Sequence, residues 1–442
     1  MVRTKLKNLS IASRLYWSGS GVVQDSSFLY ISNLITAGVG FISSIIVART
    51  LGPSDFAIIA AYNAIVLTLI GFSDFGLGTA LIKHATPLLK KDMKKAAEFL
   101  RAVFFIELAL GAVLFILGML LAPMLPKLLG QADISMTVVR LAVLSASIAS
   151  TGAFIAAVLA TYKKFKLNAI ISIAFGVLRL LSTTILWKAN LLSIESILGL
   201  YVLLSIFNFI VGFSLIPKDY NLKVPKQKLI KASRKIFHFS VWLTLSFFMT
   251  SVMGKLDFFY ILSIKGTEDA GVYAVAQQLL QVYALLLGAI GTVLTTHVSE
   301  KIDYASMIAF LKKSLPIALI IAVLFVLSGL IAPYIINIIF GYKYALAAQP
   351  LQLLIIHLAL NMILLPITLL FIPLGKVKIG TAITVLQLVV CIVLYPYLIG
   401  KVGINGAALT VIATTIVGVI VYPVILVYYL RKIKKGSYVA VS

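Results

Sequence analysis

Twelve predominantly apolar runs follow one another along this 442-residue chain, each near the roughly 20 residues that span about 30 Å of hydrocarbon as a helix. In the first half they are Ser27 to Ala48, Phe56 to Ile82, Phe99 to Leu125, Thr137 to Ala160, Ala169 to Trp187 and Ile194 to Ile216. In the second half they are Ile236 to Leu262, Ala270 to Thr296, Leu315 to Asn337, Ala348 to Pro373, Val377 to Ile399 and Asn405 to Leu430. No soluble fold buries so many such runs, and in lipid only helices or closed barrels satisfy their own backbone. The expected fold is therefore all-α integral membrane. Composition agrees: 61% hydrophobic and 12% charged, against about 45–50% and 25% in soluble domains.

Net charge of +24 would suggest nucleic acid in a soluble protein, but in a membrane protein it suggests basic cytoplasmic loops and no nucleic-acid partner. With both termini cytoplasmic, the cytoplasmic segments and bordering helix ends hold 29 of the 38 Lys and Arg, the opposite side holds 7, and two lie within spans. This asymmetry predicts a multi-pass protein of the cell (cytoplasmic) membrane with N- and C-termini inside. A cleavable signal is not expected, because the first span is long and soon followed by a second. The stretch "SIASRLYWSGSGVVQDSS" before it fits either an amphipathic surface helix or a frayed tail.

The halves resemble each other. "GTALIKH" from Gly78 returns as "GTVLTTH" from Gly291, and Gly52, Asp55, Ala60 and Asn63 match Gly266, Asp269, Ala274 and Gln277. "APMLPKLLG" from Ala122 resembles "APYIINIIFG" from Ala332, and "KFKLNAI" from Lys164 resembles "KVKIGTAI" from Lys376. An even number of helices separates the copies, so both insert the same way round, a parallel repeat of six plus six. The expected organisation is a cytoplasmic segment (1–26), an N-lobe (27–217), a basic linker (218–235), a C-lobe (236–430) and a cytoplasmic tail (431–442). Two equal lobes suit a transporter that rocks about a central site.

Ionisable groups at bilayer depth are costly and point to function. Arg179, mid-span, shares a helical face with Ser172, Gly176, Ser182 and Thr183, and fits either a cavity ligand or an ion pair with Glu107 or Asp74. Lys255 is the second buried cation. Asp257 lies about 200° around the same helix, so one of the two is expected to face the cavity and the other a neighbouring helix. Asp74, among Gly71, Gly76 and Gly78, fits a capped bend or cation coordination. Softer polar positions are Asn63 on the second span, a Tyr273, Gln277 and Gln281 stripe on the eighth, and His357 with Asn361 on the tenth ahead of Pro366. On the first span Asn33, Thr36, Gly40 and Ser44 form a small polar face suited to close packing.

Catalytic chemistry is not expected. Four histidines lack metal-ligand spacing, one cysteine (Cys391) excludes a disulfide framework, and no P-loop or paired soluble carboxylates occur. Neither an enzyme activity nor a metal or organic cofactor is anticipated. Uphill transport would then require an ion gradient, with Asp74, Glu107 and Asp257 as candidates for coupling Na+ or H+.

Seven stretches carry a family resemblance: "ARTLGPSDFA", "DFGLGTALIK", "ATYKKFKLNA", "KLDFFYI", "GVYAVAQQL", "IIFGYKYALAAQPLQLL" and "VGINGAALTVIAT". In this order, over Phe28 to Arg431, the chain resembles the Wzx-type polysaccharide and lipid-linked oligosaccharide flippases of the multidrug/oligosaccharidyl-lipid/polysaccharide (MOP) exporter superfamily. The resemblance implies a V-shaped bundle that moves a polyprenyl-pyrophosphate-linked glycan from the cytoplasmic to the outer leaflet by alternating access. It also implies a cationic cavity, for which Arg179, Lys255 and Arg49 are the candidates, and contact with membrane lipids and glycan synthesis or polymerisation machinery. A cation-coupled drug or metabolite exporter of the same superfamily is the main alternative. A membrane glycan polymerase and a non-transporting scaffold are further ones.

Overall fold

A backbone N–H or C=O in hydrocarbon needs an internal partner, and the long apolar runs meet that need as α-helix. The structure, a computed structural model, describes residues 20–73, 77–89, 91–128, 134–216, 249–298 and 303–434. Outside the described residues lie Asp74, the whole linker with the start of the seventh expected span, the segment before residue 20 and the end of the tail. Among the described residues there is no strand, and eleven helices are long and apolar enough to cross a membrane.

The long helices are α1 (Ser20–Leu51), α2 (Pro53–Ser73, followed by the short helix Leu77–Ala85), α3 (Met93–Leu121), α4 (Met136–Thr161), α5 (Phe165–Lys188) and α6 (Ile194–Ser214). Then come α7 (described over 249–265), α8 (Thr267–Val298), α9 (Tyr304–Gly329), α10 (Ala348–Leu369), α11 (Val377–Val402) and α12 (Ile404–Lys434). Polar caps set several starts. Asp92, Ser135 and Asp303 accept from the backbone N–H three residues on, and Ser193 forms a reciprocal capping box with Ser196. The ninth expected span, Leu315 to Asn337, is displaced: the Asp303 cap starts α9 earlier. It ends at Gly329, and a separate short helix, Ala332–Ile339, follows with Pro333 in its first turn.

The turns fall into matched pairs. Gly52 (φ +85°) breaks α1 from α2, and Gly266 (φ +97°) breaks α7 from α8. A side chain would strain this left-handed backbone, so one glycine makes each hairpin a single-residue break. Lys163 pairs likewise with Gly375, and Asn190 with Gly403, all at positive φ. Packing follows the same pattern: α4 packs on α2, α3 and α6, and α10 packs on α8, α9 and α12. Between the halves, α2 packs extensively against α8.

The apolar core shows the shape. Its largest cluster draws on both halves at one end, with Val47, Ala48 and Phe56 beside Leu262, Ala270, Tyr344, Ile399 and Ile404. At the other end the core is divided. Leu81, Leu100, Val103 and Val158 cluster within the first half, and Val298, Met307, Leu370 and Leu430 within the second. Among the described residues the halves thus share one core at the first end and have separate cores towards the other, while Gly71 of α2 still lies against Ser251 of α7 between them. Outside, Leu120, Ile170, Leu203, Ile320, Val393 and Val424 are all more than half exposed, an apolar surface suited to lipid.

At the closed end each half caps a helix of the other. The Tyr344 hydroxyl donates to the Ala48 carbonyl at 2.8 Å, near the C-terminus of α1, and Arg49 donates to the Ile338 carbonyl at the end of Ala332–Ile339. Phe41 and Phe340 meet edge-on at 6.0 Å, and Phe56 meets Tyr344 at 6.3 Å. Tyr344→Phe keeps the ring packing and removes one hydrogen bond, about 0.5–1.5 kcal/mol. Its expected result is a severalfold rise in the fraction open at this end, read from labels at Thr50 and Lys343, both exposed.

Candidate functional site

Between the halves lies a cavity of about 660 Å³ lined by α1, α2, α5, α6, α7 and α8. A second of about 420 Å³ lies within the second half, lined by α7, α8, α10, α11 and α12. Lys255, Gln277 and Gln281 line both.

Arg179 lines the central cavity. One guanidinium nitrogen donates to the Tyr201 hydroxyl at 2.6 Å, and Cζ sits 4.3 Å from the centre of the same ring, a cation–π contact. Tyr201 is itself held against Tyr62 at 5.9 Å, and the Tyr62 hydroxyl donates to Ser145 at 2.5 Å. The Arg179 backbone is fixed by Thr183, whose hydroxyl donates to the Arg179 carbonyl at 2.8 Å and accepts from Ser43 of α1 at 3.0 Å. Thr183 and Gly176 are buried, and Gly176 lies against Thr36. That part of the expected polar stripe therefore packs on α1, while the longer Arg179 side chain reaches the cavity. The pair with Glu107 is not formed: among the described residues Arg179 makes no ion pair, and its buried Nε has no partner. A buried donor left without a protein partner costs about 1–3 kcal/mol.

Lys255 makes no hydrogen bond or ion pair among the described residues. Asp257 is buried and accepts from the Tyr273 hydroxyl at 2.9 Å, the Gln277 amide at 2.6 Å and the Phe258 N–H at 2.8 Å. At the central cavity the two divide, with Lys255 lining it and Asp257 bonded to Tyr273 and Gln277 of the neighbouring α8. Both line the smaller cavity, and Lys255 the central one as well, because its four-carbon stem carries the ammonium beyond its Cβ direction. Asp257→Leu leaves two side-chain donors without an acceptor and is expected to cost about 2–5 kcal/mol. Thermal unfolding in detergent should show the loss, with Asp257→Asn milder because its amide oxygen still accepts.

Asn63, Gln277 and Gln281 line the central cavity, and His357 and Asn361 the smaller one. His357 Nδ1 meets the Thr415 hydroxyl at 2.5 Å, and the Asn361 amide donates to the His357 carbonyl at 3.0 Å. Arg49 and Glu107 line neither: Arg49 lies at the closed end, and Glu107 is buried in α3. Sequence reasoning passed over Tyr201, Gln278, Gln387 and Thr414. Tyr201 was open to discovery as a buried hydroxyl-bearing ring one helix after Arg179; the Ser44–Gln278 bond across the halves at 2.6 Å was not, since it depends on tertiary placement.

No carboxylate lines the central cavity among the described residues, so its charged wall is cationic, with Arg179 on the first half and Lys255 on the second.

Comparison with solved structures gives the same architecture. An inward-facing multidrug resistance MATE family transporter of the MOP superfamily superposes with TM-score 0.71 at 16% identity, covering 91% of this chain and 96% of that one. The lipid II flippase MurJ in its inward closed conformation gives 0.72 at 18%, covering 92% and 90%. At these identities the likeness establishes the fold, that of the MOP transporters. A putative O-antigen transporter of Shigella flexneri is 26% identical over 183 residues, 41% of this chain and 44% of that relative, so the match spans less than half of either protein. Residues 22–295 match the family described as polysaccharide biosynthesis protein, Polysacc_synt. The chain belongs to the polysaccharide biosynthesis protein family, on a multi-pass membrane fold of the MOP transporter type.

Proposed function

We propose that this protein is a flippase for a polyprenyl-pyrophosphate-linked oligosaccharide, moving it from the cytoplasmic to the outer leaflet by alternating access. The observation that carries this reading is the central cavity. It lies between the two halves, whose cores are separate at one end among the described residues, and its wall presents Arg179 and Lys255 and no carboxylate among those residues. Pyrophosphate crossing a low-dielectric interior needs fixed positive charge, and Arg offers a planar fork for its oxygens. Family membership and the partial match to an O-antigen transporter support a glycan cargo.

The Lys and Arg asymmetry supports a reading in which the end with separate cores, which carries Lys83, Lys163 and Arg431, lies on the cytoplasmic side of the cell membrane. The cavity then faces the leaflet where the substrate is loaded. The glycan leaves on the other side, near enzymes that polymerise or attach it. Without nucleotide chemistry, direction comes from consumption of the product or from a coupling cation, worth about 2.3 kcal/mol per charge per 100 mV. Within the second reading, a cation-coupled exporter, Asp257 is the acidic group at cavity depth.

Proteoliposomes separate these readings. Fluorescent polyprenyl-pyrophosphate oligosaccharide should exchange between leaflets only with the protein present, and small cationic dyes should not be carried. Gradient-driven dye transport without glycolipid exchange would establish the exporter.

A further inference from the structure

The two adjoining cavities differ in chemistry. In the smaller one, each of three amides directs its NH2 group into the protein: Gln277 to Asp257 at 2.6 Å, Asn361 to the His357 carbonyl at 3.0 Å and Gln387 to the Thr414 carbonyl at 2.9 Å. These acceptors fix the amide orientation, since only a nitrogen donates to a carboxylate or carbonyl. Three amide oxygens remain, and none accepts a hydrogen bond among the described residues. The cavity holds about 420 Å³, within the roughly 300–1,000 Å³ of small-molecule sites and far larger than a bare cation.

Away from Lys255, which lies where the two cavities meet, the three oriented acceptors and the Asp257 carboxylate disfavour phosphate, which is acceptor-rich and anionic, and suit hydroxyl groups, which donate. We propose that the smaller cavity is a sugar subsite. It takes the uncharged, hydroxyl-rich sugar joined directly to the pyrophosphate, while the pyrophosphate lies at Arg179 and Lys255. The inference rests on the flippase reading and adds to it the part that chooses among glycans. Lys255, Gln277 and Gln281, common to both cavities, lie where the sugar–phosphate bond passes from one chemistry to the other. Gln387 and Thr384 line only the smaller cavity and select the sugar.

The test is binding to the full-length protein in nanodiscs, measured for bare polyprenyl pyrophosphate and for the same carrier bearing N-acetylglucosamine, glucose or galactose. At least one sugar-bearing carrier should bind about tenfold tighter than the bare carrier, the scale of one or two added hydrogen bonds. Gln387→Leu should abolish that preference and leave bare-carrier binding in place, which also shows that the variant is folded. Thr384→Val, a smaller change, should reduce the preference in the same direction. Arg179-dependent binding of the bare carrier with no preference for any of the three sugars would overturn the subsite and leave the flippase reading intact. So would a Gln387→Leu effect confined to sodium-dependent binding, which would make the cavity a cation site. Failure of every carrier to bind would overturn both.

Discussion

Arg179→Ala is expected to abolish leaflet exchange of the glycolipid while the protein remains folded. Among the described residues the side chain has one hydrogen bond, to Tyr201, and a buried Nε without a partner. Its deletion removes little from the apo protein and much from the complex. Truncating one member of a desolvated, hydrogen-bonded charge pair costs about 2–5 kcal/mol, or roughly 30-fold to several thousandfold in affinity. Arg179→Lys should recover only part of the exchange, because an ammonium keeps the charge and loses the planar fork. Tyr201→Phe belongs to the same test: it keeps the ring beneath the guanidinium and frees one rotation, so exchange should fall less than in Arg179→Ala. Normal exchange by Arg179→Ala would remove this residue from the mechanism.

Gly271→Val is expected to trap the protein open at the end now closed. A Cβ at Gly271, in the first turn of α8, would stand 1.9 Å from the Pro53 carbonyl oxygen and 2.6 Å from its carbon. No rotamer relieves a clash with backbone, so α2 and α8 must separate where they join the halves. Overpacking of this kind costs about 1–3 kcal/mol, a shift of about 5- to 150-fold in the ratio of two conformers. Labels at Thr50 and Lys343 should move apart. Cys391, the only cysteine of the chain, is 1% exposed and should stay unlabelled. An unchanged label distance in folded Gly271→Val would contradict the closed end drawn here.

Much of this architecture was legible in the sequence because lipid leaves the backbone few alternatives. The long apolar runs are helices, and the glycines aligned across the halves, Gly52 and Gly266, occupy equivalent left-handed turns. Helix periodicity also put Arg179, Lys255, Asn63, Gln277 and Gln281 on polar faces, and these five line one cavity. Periodicity failed where side-chain length or tertiary packing decides. Lys255 and Asp257 divide at the central cavity but both reach the smaller one, and Arg49, offered among the cavity cations on the family resemblance, instead bonds the Ile338 carbonyl across the closed end. The amide orientations of Gln277, Asn361 and Gln387 depend on partners up to 27 residues away, so no helical face announces them. The ninth span moved because a local cap at Asp303 and a break after Gly329 outweighed continuous hydropathy.

The most direct test of a central cavity that matches cations to pyrophosphate is the leaflet-exchange rate of one glycan on three carriers: polyprenyl pyrophosphate, polyprenyl monophosphate and neutral polyprenol. The account predicts that exchange falls in that order, and that Arg179→Ala lowers the pyrophosphate rate to near the neutral one. Equal rates for all three, unaltered by Arg179→Ala, would contradict it.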